Sequence, residues 1–263
     1  MGDSGAEVSV YYCFARSGGT LINRCLGCIP ENLVLSEVNP MGSIVTVESQ
    51  AQNWLGLVGA ADIDQFAARP YGEKISFLAG AAAALGKRLI VRDWPTLNFL
   101  GGIHWEYFFP SGVLEQDLYL QRYGLRYHSA VVSRRAASVY ESLTRSFAHL
   151  KKLSVDDFGS AYLAYAQAVA LFPVIHFEEF CEAPEQEFRR LCAALHCSFS
   201  QEFVTGFSRF INCTGDNNLA VTSRGGNSEQ ILPLADNRET DAWKIAAKDE
   251  QCREADRLFG YGQ

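Results

Sequence analysis

Arg16, Ser17 and Thr20 fall in a short stretch that also holds two glycines, Ala15-Arg16-Ser17-Gly18-Gly19-Thr20. A β-branched and aromatic run precedes it (residues 8–14), and a helix-like pattern of Leu21, Ile22, Cys25 and Leu26 follows. A strand that feeds a glycine turn and then a helix makes an anion cradle. The turn N–H groups and the helix N-terminus point at the same place. Arg16 adds a permanent cation, Ser17 and Thr20 add hydroxyl donors, and Gly18 and Gly19 allow the backbone to come close. The bland alternative is a tight turn with incidental glycines. The triphosphatase loop, G-x-x-x-x-G-K followed by Ser or Thr, is a different device. Here no lysine precedes Thr20, and the cation lies four residues earlier.

A second segment repeats the theme. The apolar run Ala130-Val131-Val132 ends in Arg134, eight residues before Ser142, which sits two turns into the next helix. A guanidinium fork can bind two oxygens of one dianion, which a point charge cannot. Arg135 takes that role if the register slips by one. A third, polar segment, Ser223-Arg224-Gly225-Gly226, adds a late cation beside paired glycines.

In this order and spacing the three segments resemble the sulfotransferases that use 3′-phosphoadenosine 5′-phosphosulfate (PAPS). Their phosphosulfate loop commonly reads Pro-Lys/Arg-Ser-Gly-Thr-Thr, which residues 15–20 match with Ala for Pro and Gly19 for the first Thr. The stretch from Val174 through Glu178 and Glu179 to Pro184 and Leu191, and the ending Leu258-Phe259-Gly260-Tyr261, also look like family segments. The resemblance implies that Arg16, Ser17, Gly18, Gly19 and Thr20 hold the phosphosulfate. It implies that Arg134 and Ser142 hold the 3′-phosphate, with Arg224 and Gly225 closing over it. The co-substrate is then PAPS, no metal is required, and the acceptor is a small molecule bearing a hydroxyl or an amine. A nucleotide-binding kinase and an inactive PAPS-binding module stay open as alternatives.

Sulfuryl transfer also needs a group to take the acceptor's proton. Family members use a histidine after the third strand or a carboxylate near the end of the second. Glu37, in Leu35-Ser36-Glu37-Val38, fits the carboxylate position. Asp93, in Arg92-Asp93-Trp94-Pro95, stands where the family's Lys-Thr-His-Leu-Pro has its histidine. Burial raises a carboxylate pKa towards neutrality, so either can serve as a base. Glu37 ranks first, Asp93 second and His104 third. Against these roles, Glu37 could pair with Arg92, and Asp93 could be a strand-end turn residue.

The elements that position these groups alternate. Strands are expected at 8–14, 33–38, 88–93, 124–134 and 173–177. Helices are expected at 48–59, 62–85, 136–149, 155–171, from Pro184, and over 239–258. That order predicts a single α/β domain over 1–263, with a mostly parallel sheet flanked by helices. At 48% hydrophobic and 20% charged, the 263 residues can build a core of that size. A net charge of −7 disfavours a nucleic-acid partner. The chain opens without a basic n-region, and its longest apolar stretch (77–85) is too short for a bilayer. A cytoplasmic protein, monomer or homodimer, with reduced cysteines is therefore expected. Cys25 and Cys28 read as helix residues rather than a metal or redox pair. Tyr119, Tyr123 and Tyr127, four apart, read as one helix face. Trp54 and residues 105–109 are candidates for an acceptor pocket.

Overall fold

The structure, a computed structural model, describes residues 7–102, 109–215, 230–233, 238 and 240–262. β1 (Glu7–Cys13) turns into α1 (Gly19–Gly27). β2 (Asn32–Leu35) is followed by α2 (Val47–Asn53), α3 (Ile63–Ala67) and α4 (Tyr71–Ala84). β3 (Arg88–Asp93) leads to α5 (Thr96–Phe99) and α6 (Glu115–Arg122). β4 (Arg126–Ser133) leads to α7 (Ala136–Ser146) and α8 (Val155–Ala168). After β5 (Val174–His176) come α9 (Phe177–Glu182), α10 (Pro184–Ala194), α11 (Phe203–Gly206), α12 (Asp241–Lys248) and α13 (Glu250–Leu258).

The five strands form one sheet in the order β2-β3-β1-β4-β5, and every pairing is parallel. β1 is central, with Tyr12 facing Asp93 of β3 on one side and Val131 of β4 on the other. Successive strand side chains alternate between the two faces, as a pleat requires. Val8, Val10, Tyr12, Val91 and Val131 pack with α4, α7, α8 and α13 on one face. Tyr11, Cys13, Ile90, Val132 and Ile175 pack with α1, α9 and α10 on the other. The chain leaves β1 towards β2 and leaves β4 towards β5. The crevice at the C-terminal ends of β1 and β4 is therefore the switch point, where open parallel sheets bind ligands.

The expected α/β architecture is the observed one, with local differences. The helix expected over 62–85 breaks at Pro70, whose extended backbone (ψ 151°) starts α4 afresh. The helix expected at 48–59 stops at Asn53. The last helix divides at Asp249, whose carboxylate accepts the Cys252 N–H and caps α13. β2 ends at Leu35, and Glu37 just beyond it has a left-handed φ of 54°. Tyr127 does not share a helix face with Tyr119, because Gly124 (φ 62°) ends that turn and Tyr127 lies in β4. None of the eight cysteines is in a disulfide, and Cys28 caps the end of α1. Among the described residues, no helix is long and apolar enough to cross a membrane.

Candidate functional site

The first loop is a tight, strained turn at the end of β1. Ser17 N–H donates to the Phe14 carbonyl at 3.1 Å, and Ala15 N–H donates to Thr96 Oγ1 at 2.7 Å. Arg16 sits at φ 69°, a left-handed conformation that an L-residue adopts only at a cost. Gly18 follows at φ 91° as the N-cap of α1, and its carbonyl accepts the Ile22 N–H at 3.2 Å. A Cβ at Gly18 would lie 2.2 Å from the Phe177 ring, so both conformation and space demand glycine there. Ser17 Oγ is buried beside the Tyr162 hydroxyl.

The second strand–helix turn meets the first. Arg134 donates from Nη1 to the backbone carbonyl of Arg16 at 3.1 Å, and Arg16 donates from Nε to Ser142 Oγ at 2.9 Å. The Arg134 carbonyl is held in turn by the Tyr162 hydroxyl at 2.6 Å. The two strand–helix turns are thus contiguous. Burial lowers the pKa of Arg16, and the neighbouring Arg134 and Arg145 charges lower it further. Burial also lowers that of Arg134, against the pull of Glu178 and Glu141. Arg134 Nε is buried without a partner, and neither Arg16 nor Arg134 is ion-paired among the described residues. Shielded positive charge of this kind is costly unless an anion arrives. Arg135, the alternative cation, is exposed. Its N–H bonds to Glu178 Oε1 at 3.0 Å and its guanidinium lies over the Tyr261 ring, outside this cluster.

The two candidate bases lie in different settings. Glu37 accepts from Arg92 Nη2 at 2.6 Å, an ion pair beside the first loop. Asp93 is fully buried at the end of β3, where its Oδ1 accepts from Asn39 Nδ2 at 2.8 Å and its Oδ2 has no partner. Asn39 Oδ1 accepts the Met41 N–H at 3.0 Å, which fixes the amide so that its N–H faces Asp93. Burial raises the Asp93 pKa to about 7, in spite of the Asn39 hydrogen bond and one from the Trp94 N–H. His104, Arg224 and Gly225 lie outside the described residues, as do 105–108. The chain that leads to Arg224 is anchored at the site. Thr20 donates its hydroxyl to the Thr214 carbonyl at 3.3 Å, and Thr214 N–H donates to Ser36 Oγ at 3.1 Å.

Sequence reasoning missed Asn39, Thr96 and Tyr162 as parts of this site, and met Arg92 only as a possible partner of Glu37. Asn39 was hidden by Pro40, which made the dipeptide a strand stop. Thr96 lies 81 residues from the loop it braces, and no local pattern reveals such a contact. Arg92 carried a signal: a buried charged residue directly after the apolar run Leu89-Ile90-Val91 of a parallel strand needs a partner or a ligand.

No protein-family model matches the sequence, and no curated protein is similar enough in sequence to match. Solved structures do match in fold. A sulfotransferase domain from the olefin synthase of Synechococcus PCC 7002 shares 14% identity at a TM-score of 0.66, covering 98% of this chain and 95% of its own. A sulfotransferase domain from the curacin biosynthetic pathway shares 12% at a TM-score of 0.55, with 97% of each chain covered. A likeness over nearly the full length of both, with a parallel five-stranded sheet between helices, identifies this chain as a sulfotransferase-fold protein.

Proposed function

We propose that this chain is a PAPS-dependent sulfotransferase, moving a sulfuryl group to a hydroxyl or amine of a small-molecule acceptor by in-line displacement. The observation that carries this reading is the convergence of Arg16 and Arg134, half-buried and without counter-ions among the described residues, at the switch point of the sheet. The residues fit the donor's two anionic ends. Arg16, Ser17, Gly18, Gly19 and Thr20 would hold the 5′-phosphosulfate, and Arg134 with Ser142 the 3′-phosphate, where Arg134 Nε is a buried donor without a partner. Arg224 and Gly225 are assigned to the same 3′-phosphate. PAPS, when bound, supplies the sulfuryl group, and its nucleotide leaves as adenosine 3′,5′-bisphosphate.

The chain's own part is positioning and charge stabilisation, as in phosphoryl transfer. Arg16 and the N–H groups at the start of α1 face developing negative charge. We take Asp93 as the proton acceptor, through Oδ2, because Oδ1 is held by Asn39 and burial brings its affinity for a proton into the neutral range. Glu37 is committed to Arg92.

The test is incubation with sulfur-35 PAPS and a panel of small alcohols, phenols and amines. Labelled product from the natural chain and none from Arg16→Ala supports the assignment. Binding of the bisphosphate without transfer to any acceptor would favour the inactive-module reading instead.

A further inference from the structure

Gly19 and Gly18 are glycines for different reasons. Gly18 needs a left-handed φ, whereas Gly19 opens α1 in ordinary helical backbone. Conformation therefore does not require glycine at 19. Space disfavours anything larger while Arg92 stays in place: a Cβ there would fall 2.6 Å from Arg92 Nε, 2.7 Å from Nη2 and 2.8 Å from Cζ, so the guanidinium would have to move. The room a side chain would fill beside the anion-binding turn is taken by a guanidinium from the next strand, where Arg92 stands opposite Tyr11 of β1.

That guanidinium is only partly satisfied. Arg92 is 5% exposed, with Nη2 on Glu37 at 2.6 Å and Nη1 reaching Ser36 Oγ at no better than 3.5 Å. Nε, the atom nearest Gly19, is buried with no partner. An arginine has five N–H donors, and leaving a buried one unmade costs about 1–3 kcal/mol. A purely structural ion pair would be expected to satisfy them. Glu37 also adopts a left-handed φ of 54°, a strained backbone that brings its carboxylate against Arg92. Burial, the largest single influence, opposes the Arg92 charge, but Glu37 together with Tyr11, Cys13 and Cys213 raises the pKa overall, so the cation is secure.

We propose that Arg92 is a second cation of the anion-binding loop, standing in for the side chain missing at Gly19, and that Glu37 orients it. The group recognised is the sulfo or phospho end of the nucleotide, so the inference rests on the loop having that ligand. Arg92 is then a binding residue, and Glu37 a positioning residue rather than a base.

The test is a swap, read by calorimetric binding of adenosine 3′,5′-bisphosphate to the full chain. Arg92→Ala and Gly19→Thr are each expected to weaken binding at least 10-fold, the first by removing a charge-assisted contact and the second by collision. The double variant should recover to within about 5-fold of the natural chain, because the threonine hydroxyl enters the space the arginine leaves. A double variant no tighter than Arg92→Ala overturns the proposal. Arg92→Gln guards against misfolding, since its amide can still reach Glu37. It should melt within a few degrees of the natural chain yet bind about 10-fold more weakly. Unchanged binding in Arg92→Gln also overturns the proposal. Should the natural chain itself fail to bind the bisphosphate, the loop reading falls first, and the swap is not what decided it.

Discussion

The Arg134 side chain donates to the backbone carbonyl of Arg16 at 3.1 Å, so the turn after β4 braces the turn after β1. One guanidinium thus orients the loop that carries the other. The two turns also come from strands that are adjacent in the sheet yet over a hundred residues apart in sequence. Anion binding at either turn should therefore be felt at both.

Arg134→Ala should weaken binding of the bisphosphate by about 10- to 100-fold, the scale of a lost charge-assisted contact. Lys at this position should recover only part of the loss, because it lacks the fork. Calorimetry on both variants checks this. Equal binding by Arg134→Ala and the natural chain would remove Arg134 from the site.

Arg16→Gly separates stability from function. Glycine accepts φ 69° without strain, and the change removes a half-buried charge repelled by Arg134 and Arg145. The melting temperature should hold or rise, by up to about 1 kcal/mol of stability. Turnover should fall by about 10²–10³, the scale of a lost oxyanion donor. A variant that both melts normally and turns over normally contradicts the role given to Arg16.

Much of this was legible in the sequence, and the reasons are physical. Strands buried on both faces read as apolar runs, so β1, β3 and β4 were found within two residues of their ends. The loop and the Arg134–Ser142 spacing were visible because each is local. Contacts made by the fold were not. Nothing near residue 16 announces that its carbonyl will meet Arg134, or that Gly19 is small because Arg92 lies against it. Pro70 was a local signal that the helix pattern around it outweighed.

Gly18→Ala should be damaging out of proportion to its size. The added methyl would meet the Phe177 ring at 2.2 Å on a backbone at φ 91°. A loss of about 2–4 kcal/mol is expected from overpacking and strain together. Denaturant unfolding measures it, and a loss under about 1 kcal/mol would mean the loop yields easily.

Asp93 links pH to both stability and rate, with opposite signs. Its folded pKa, about 7, lies above the ordinary 3.8. The stability it contributes is thus full below about pH 4 and is lost as pH rises through 7. Asp256, raised by burial to about 6, adds a loss of the same sign. If Asp93 takes the acceptor's proton, turnover needs its ionised form and should rise with pH through about 7. Asp93→Asn should abolish that rise in rate and gain stability relative to the natural chain at pH 8. Normal turnover in Asp93→Asn would return the base to another residue.

The most direct measurement is titration calorimetry of the natural chain with adenosine 3′,5′-bisphosphate, alongside the 5′-monophosphate. If Arg16 and Arg134 hold the two ends of one nucleotide, the bisphosphate should bind with a dissociation constant on the order of 10 μM or tighter. The monophosphate should bind at least about 10-fold more weakly, for want of its 3′-phosphate. No heat with the bisphosphate, or equal affinity for the two nucleotides, would contradict the account.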